Sequence, residues 1–302
     1  MKYHQRHSNS WQLAHDLGAG SGVYATNLAR FFRHIHVSDP SPSGIATSRS
    51  LLSTWSAKNP KKRGRFTFSS GKPEVCEEHF TDGSVDLVTL MEGAHFTNAE
   101  ETVKAVAKTL APGGTLAIVT HRPVAKCAGN ERVAEAVERL FEAWGRRPWD
   151  VACGTETKSQ QQFSLGLDFV RLPSDLFAVE KIRRITINAH GNPREVFRVP
   201  GMATQSDGAL NGEEVVDSVG SCVRDKEQKL AYGERDEQGR GWRFEVGWES
   251  FRTRVALLDT PATVKRLEPY LREIQTLIEK TSPTGTLVVI EWAVAVVLAT
   301  RK

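Results

Sequence analysis

Residues 15–22 read His-Asp-Leu-Gly-Ala-Gly-Ser-Gly, an acid at Asp16 followed by the alternating glycines Gly18, Gly20 and Gly22. Placed where a strand ending near Leu17 turns into a helix, such a stretch lets a ligand lie against the main chain. Glycine has the φ/ψ freedom for the sharp turn and no Cβ in the way. A second acid, Asp39, ends the short alternating run Ile35-His36-Val37-Ser38-Asp39 before Pro40, roughly 20 residues after the turn. A carboxylate at the tip of a second strand can accept hydrogen bonds from both hydroxyls of a ribose. Taken alone, Asp39 is as well explained as a turn cap before Pro40; with the glycine turn upstream, the ribose reading is favoured. The spacing DxGxGxG departs from the dinucleotide fingerprint GxGxxG, whose third glycine falls one residue later. Gly18-Ala19-Gly20-Ser21-Gly22-Val23 therefore argues against a nicotinamide-dependent oxidoreductase.

The elements that would position these residues alternate. Val23 to Phe32 has the apolar spacing of an amphipathic helix, with Val23, Leu28, Phe31 and Phe32 apolar. Leu51 to Lys58 ends a second helix, and Arg65 to Ser70 is a β-prone run closed by Gly71-Lys72-Pro73-Glu74. Ser84 to Met91 is apolar enough for a strand buried on both faces, as parallel sheets require. Asn98 to Leu110 reads as a helix with Val103, Val106, Ala107 and Leu110 on one stripe, and Thr115 to Thr120 as the next strand. Strand–helix alternation with right-handed crossovers brings all the strand tips to one rim, where a ligand would lie.

With those segments in place, Asp16 to Gly22 resembles motif I of the class I S-adenosylmethionine (SAM)-dependent methyltransferases. Gly83-Ser84-Val85-Asp86-Leu87-Val88-Thr89, then Glu92-Gly93-Ala94-His95-Phe96, then Leu110-Ala111-Pro112-Gly113-Gly114-Thr115-Leu116, are similar to the small-molecule methyltransferases of the trans-aconitate methyltransferase type. His95 matches that family's histidine, while Phe96-Thr97-Asn98 stands where the family has Trp-Phe-Asp, and Gly71-Lys72-Pro73-Glu74 stands beside the adenine where the family has a glycine or aspartate, then Ala-Glu; Lys72 cannot accept a hydrogen bond from the adenine amino group. Trp248-Glu249-Ser250-Phe251-Arg252-Thr253 looks like the Tyr-Leu-Arg-Thr-Trp-Ser cap helix of the fungal members. The resemblance implies a Rossmann-like α/β fold, doubly wound, with a mostly parallel seven-stranded sheet and an inserted substrate cap. It implies a SAM-binding core over 1–125, a cap over 126–284 and a closing strand within 285–302. The implied cofactor site comprises Asp16, Gly18, Ala19, Gly20 and Gly22 at the turn, and Asp39, Pro40 and Ser41 at the second strand tip. Gly71, Pro73 and Glu74 would lie beside the adenine, and Met91 and Glu92 at the fourth tip. Relatives usually carry several dozen residues before the glycine turn that fold over the cofactor; Met1 to Gln12 is shorter, so part of that lid is expected to be absent.

Beyond residue 120 the pattern thins. Glu131 to Trp144 has helical spacing, with Val133, Val137, Leu140, Phe141 and Trp144 on one face. Lys181 to Ala189 alternates like a strand, Trp242 to Arg254 fits a strand or a helix, Pro269 to Lys280 a helix, and Gly201 to Glu214 a mobile loop. Gly285 to Ala299 holds two β-prone pieces, of which Trp292 to Thr300 suits an antiparallel strand closing the sheet.

Composition is that of a globular enzyme: 302 residues, 39% hydrophobic and 25% charged, with a formal charge of +4. Lys58, Lys61, Lys62, Arg63 and Arg65 form the one dense basic run, without an aromatic stacking platform, so a solvated loop is expected and no nucleic-acid partner. No apolar run reaches the roughly 20 residues that span a bilayer, and the start has no signal-peptide core. Cys76, Cys127, Cys153 and Cys222 are too scattered for a zinc site and suit a reducing, cytoplasmic compartment; no metal is expected. Oligomeric state is not legible.

Methyl transfer needs a nucleophile aligned with a sulfonium methyl group and water excluded. A carboxylate nucleophile needs only cations to orient it, and Arg252 is the first candidate, with His121 and Arg122 behind it. A hydroxyl nucleophile needs a base, and His95 is the candidate because it follows the fourth strand and histidine titrates near neutrality. The leading expectation is methyl transfer to oxygen, carboxylate or hydroxyl, of a small metabolite. The second is a protein that binds SAM as a structural or regulatory ligand, or uses it in a rearrangement without transfer.

Overall fold

The computed structural model describes residues 1–8, 10–60, 64–122, 124–145, 158–198, 220–256, 261–281 and 287–302. Lys61, Lys62 and Arg63 of the basic run, Cys153, and the 201–214 stretch lie outside the described residues.

Among the described residues the main sheet has eight strands, where seven were expected. Its strands are β1 (Leu13–Leu17), β2 (His34–Asp39), β3 (Arg65–Ser70), β4 (Val85–Met91), β5 (Leu110–His121), β7 (Arg183–Ile187), β8 (Gln228–Tyr232) and β11 (Val294–Thr300). They lie in the order β3-β2-β1-β4-β5-β11-β7-β8. The first five pair in parallel, and β11 inserts antiparallel between β5 and β7. The extra strand β8 extends the sheet parallel to β7. It is preceded by Glu227, whose fully buried carboxylate receives Arg184 Nε at 2.5 Å and Arg224 Nε at 3.0 Å. Arg184 also donates to the Leu167 and Val170 carbonyls. A buried charge needs such partners, and here they fasten the new edge. Nothing in the local pattern of 228–232, largely exposed, announces it.

The helices on this sheet include α1 (Lys2–His7), α2 (Ala25–Leu28), α3 (Pro42–Lys58) and α4 (Ala99–Thr109). The helix expected over 23–32 shrinks to one turn, because the chain leaves Gly22 at φ +73° and continues in tight turns such as Phe31 N–H to Leu28 C=O. Val23 and Phe31 are consequently about half exposed. α3 starts at Ser41, whose hydroxyl accepts from Gly44 N–H, and α4 starts at Asn98, whose side chain accepts from Glu101 N–H. α1 packs at β5, and His4, buried, hydrogen-bonds Thr115 Oγ1 at 2.9 Å.

A second, smaller sheet joins β6 (Lys126–Ala128), β9 (Arg243–Gly247) and β10 (Leu287–Glu291) in the order β6-β10-β9. The first β-prone piece after residue 285 thus leaves the main sheet for this one, while β7, drawn from the middle of the expected cap, enters the main sheet. Against the small sheet pack α5 (Glu131–Gly145), and, past α6 (Lys158–Ser164), α7 (Trp248–Ala256) and α8 (Pro261–Thr281). Their core contains Val133, Val137, Leu140, Phe141 and Trp144, the face read from the sequence, with Phe251, Val255, Leu271, Ile274 and Ile290. Residues 242–256 are strand and then helix, and α8 begins at Pro261, with Pro269 inside it rather than at its start. No helix among the described residues is long and apolar enough to cross a membrane.

Candidate active site

The tips of β1, β2 and β4 open onto a cleft of about 660 Å³, within the range of roughly 300–1,000 Å³ for small-ligand sites. Gly18, Ala19, Gly20, Ser21, Val23 and Tyr24 form its floor after β1; Asp39 and Pro40 follow β2; Lys72, Pro73 and Glu74 follow β3; Met91, Glu92 and Gly93, then Phe96 and Thr97, follow β4. The glycine turn is held open by its own geometry. Gly18, Gly20 and Gly22 have φ of +64°, +54° and +73°, where side chains are strained. A Cβ on Gly20 would meet nothing within 4 Å, so that stretch of main chain is bare, whereas one on Gly22 would strike Ser48 Cβ at 2.8 Å. Gly22 is thus packed beneath the site rather than facing it.

Asp39 is fixed by the turn it serves. Its Oδ2 accepts Gly20 N–H at 2.8 Å and its Oδ1 accepts Ser41 N–H at 2.8 Å, which leaves lone pairs on both oxygens. Gly44 makes room for it, since a Cβ there would stand 2.9 Å from Oδ1. Asp16 lies below the floor, 1% exposed. Thr89 Oγ1 donates to its Oδ1 at 2.9 Å, and Oδ2 is buried with no partner. Burial pushes this carboxyl up to about 6. An orphaned acceptor beneath an open glycine turn suits a cationic ligand group above it.

At the far end Glu92 adopts φ +57°, unusual for a residue with a side chain. Its Oε2 accepts Thr120 Oγ1 at 3.2 Å and His121 N–H at 3.3 Å, and its Oε1 lies 3.8 Å from His121 Nε2. Burial raises its pKa, opposed by His121. Tyr24, partly exposed at the cleft, has its hydroxyl pKa raised by burial and by Glu92 and Asp16.

Of the residues read from the sequence, the cleft gathers Gly18, Ala19, Gly20, Asp39, Pro40, Pro73, Glu74, Met91 and Glu92. Asp16, Gly22 and Ser41 support it from beneath or beside. Gly71 N–H bonds the Asp39 carbonyl at 3.2 Å. Glu74 also accepts Asn98 N–H at 2.7 Å, which ties the β3 loop to the start of α4.

The two candidates for catalysis fall elsewhere. Arg252 is half exposed on α7 and meets Glu268 at 3.5 Å. The helix turns Phe251 and Val255 into the core against the second sheet, which sends Arg252 outward. His95 is buried, its ring 4.1 Å from Phe96 and 4.6 Å, edge-on, from Phe163, and burial pushes its pKa down to about 4. Such an imidazole is a weak base and faces aromatic carbon, not the cleft. Arg122, also considered as a clamp, is buried against Glu138 at 3.1 Å. Tyr24 and Val23 were missed because an aromatic or β-branched residue after a glycine turn looks like core until its neighbours are known.

A sheet whose parallel strands end at one ligand cleft, closed by an antiparallel strand, is the Rossmann-like class I methyltransferase fold. Residues 15–118 match the family described as a methyltransferase domain. Relatives include Methyltransferase gedG of Aspergillus terreus, 32% identical over 145 residues, which are 48% of this chain and 42% of that protein. Methyltransferase tpcM of Aspergillus fumigatus is 26% identical over 258 residues, 83% of this chain and 70% of that one. Methyltransferase cfoB of Aspergillus candidus is 33% identical over 139 residues, 45% and 41% respectively. The chain thus spans about two-fifths of gedG and cfoB.

Proposed function

We propose that this protein transfers the methyl group of SAM to an oxygen atom of a small metabolite. The observation that carries the reading is the coupling of Asp39 to the bare Gly20 turn within one cleft. In that arrangement the Asp39 carboxylate would accept the ribose hydroxyls and the main chain of Gly18 to Ser21 would flank the methionine part. The loop from Gly71 to Glu74 would wall the adenine. Asp16, Asp39 and Glu92 give the cleft and its floor a negative lining suited to a cationic ligand. When bound, SAM supplies an activated methyl group on a sulfonium sulfur; the chain's own work is to orient it, exclude water and hold the acceptor in line. The acceptor would enter between Tyr24 and Phe96. The trans-aconitate methyltransferase relationship, the absence of a nucleic-acid partner and the cap role of residues beyond 126 belong to the same proposal.

Isothermal titration with SAM tests it. The wild type should bind, and Asp39→Ala should weaken binding by a few kcal/mol, given about 1–3 for each hydrogen bond to a charged group. Asp39→Asn, which keeps one acceptor oxygen, should fall between. No binding by the wild type, or equal binding by all three, would sink the reading.

A further inference from the structure

The group that would take a proton from the acceptor lies at neither of the two positions expected from sequence. We propose that Glu92 is the proton acceptor of this cleft, and that the molecule it serves is a neutral hydroxyl compound with an apolar body rather than a carboxylate; this rests on the methyltransferase reading above.

Glu92 lines the cleft at the β4 tip and is anchored from behind through Oε2, by Thr120 Oγ1 and the His121 main chain. Anchoring one oxygen leaves Oε1 free to accept a hydrogen bond from an incoming O–H. Behind it stands the His121 imidazole. His121 Nδ1 lies 2.8 Å from the Arg122 carbonyl. A carbonyl only accepts, so Nδ1 carries a hydrogen, and Nε2 stands 3.8 Å from Glu92 Oε1.

The surroundings select the acceptor. Among the described lining residues Lys72 is the sole cation, and it follows β3, whose tip is three strand spacings from that of β4, about 14 Å at roughly 4.8 Å each. Arg252, the candidate carboxylate clamp, points away. A carboxylate presented to the β4 tip would meet Glu92 as a like charge. The mouth there is apolar: Phe96 is 75% exposed and Val23 50% exposed.

The step balances. The acceptor's O–H bond breaks and its proton goes to Glu92. The oxygen's electron pair forms the C–O bond while the C–S bond breaks, leaving its pair on sulfur. Sulfonium, alcohol and carboxylate become thioether, methyl ether and carboxylic acid, and Glu92 then passes the proton to solvent.

The test needs no natural substrate. 2-Naphthol, 2-methoxynaphthalene and 2-naphthoate are titrated into the full-length protein, with and without S-adenosylhomocysteine, at pH 7.5, by calorimetry. Wild type should bind naphthol about tenfold or more tighter than the other two, as a hydrogen bond to a charged group implies. Glu92→Gln should bring naphthol and naphthoate within about threefold, chiefly by improving naphthoate. Phe96→Ser should weaken all three alike. Naphthoate binding as tightly as naphthol in the wild type, an unchanged ratio in Glu92→Gln, or no saturable binding of any probe would overturn the proposal. Should Glu92→Gln not fold, Glu92→Asp, which retracts the charge, replaces it with the same expected narrowing. Binding of S-adenosylhomocysteine itself is measured first and reports on the methyltransferase reading separately.

Discussion

Asp16→Asn separates what the floor of the cleft does for stability from what it does for binding. The wild-type carboxyl is 1% exposed, with Thr89 on one oxygen and no partner on the other, and burial lifts its pKa from an ordinary 3.8 to about 6. A carboxyl that ionises less readily in the folded chain than in the unfolded one works against folding once the pH passes the unfolded value. Between about pH 3.8 and 6 the native state holds more protons, so this group's effect on stability worsens as pH rises through that window and is constant above it. A shift of about two units corresponds to about 3 kcal/mol at neutral pH. About half of it, roughly 1.4 kcal/mol, develops between pH 5 and 7.5.

Asparagine has nearly the same shape, still accepts from Thr89, and does not titrate. Urea unfolding of both proteins at pH 5 and pH 7.5, without ligand, should show the difference in stability, variant minus wild type, growing by about 1.4 kcal/mol toward the variant at the higher pH. Any fixed cost of leaving the amide unpartnered is the same at both pH values and drops out. Histidines that titrate in this range do so in both proteins and cancel too. SAM affinity should fall in the same variant, so stability and binding move in opposite directions, as at other sites held in a strained electrostatic state. A stability difference that stays flat to within about 0.3 kcal/mol would refute the assignment of a buried, half-satisfied, ionised carboxyl at this position.

Two further outcomes are expected. His95→Phe, which keeps the ring between Phe96 and Phe163, should flatten the acid limb of the stability curve. The depressed pKa of about 4 means that stability is complete above about pH 6.5 and falls as the pH drops toward 4, by roughly 3 kcal/mol from this group; an unaltered acid limb in thermal scans would contradict it. Glu227→Ala should destabilise the chain by about 3–5 kcal/mol in urea unfolding, because Arg184 is left buried beside a lost partner; a loss under about 1 kcal/mol would show that the edge strand is fastened by other means.

The parts of the fold legible in the sequence are those where local chemistry and global role coincide. The glycine turn, Asp39 and the β4 and β5 segments each need a particular residue type for a backbone reason, so their identity announces their place. Asn98 capping α4 and Val133 to Trp144 facing the core of the second sheet were readable for the same reason: spacing alone defines a helix face. Strand β8 was not, because 228–232 is polar and exposed, and its place depends on the ion cluster of Arg184, Arg224 and Glu227 drawn from distant positions.

The side-chain directions of the two catalytic candidates were not legible for a different physical reason. A motif can show that Arg252 lies on a helix and His95 after a strand, but which way each side chain turns is decided by the residues beside it. Phe251 and Val255 claim the inward face of α7, and Phe96 and Phe163 enclose His95. Glu92 attracted attention only as a cofactor contact because its neighbours His121 and Thr120 sit on β5, about thirty positions on, and come beside it only through the β4–β5 pairing that sets Met91 opposite Val119. Acid–base groups in such a cleft are therefore found by following strand register from tip to tip, and a carboxylate beside the terminal residues of the neighbouring parallel strand is the pattern to seek.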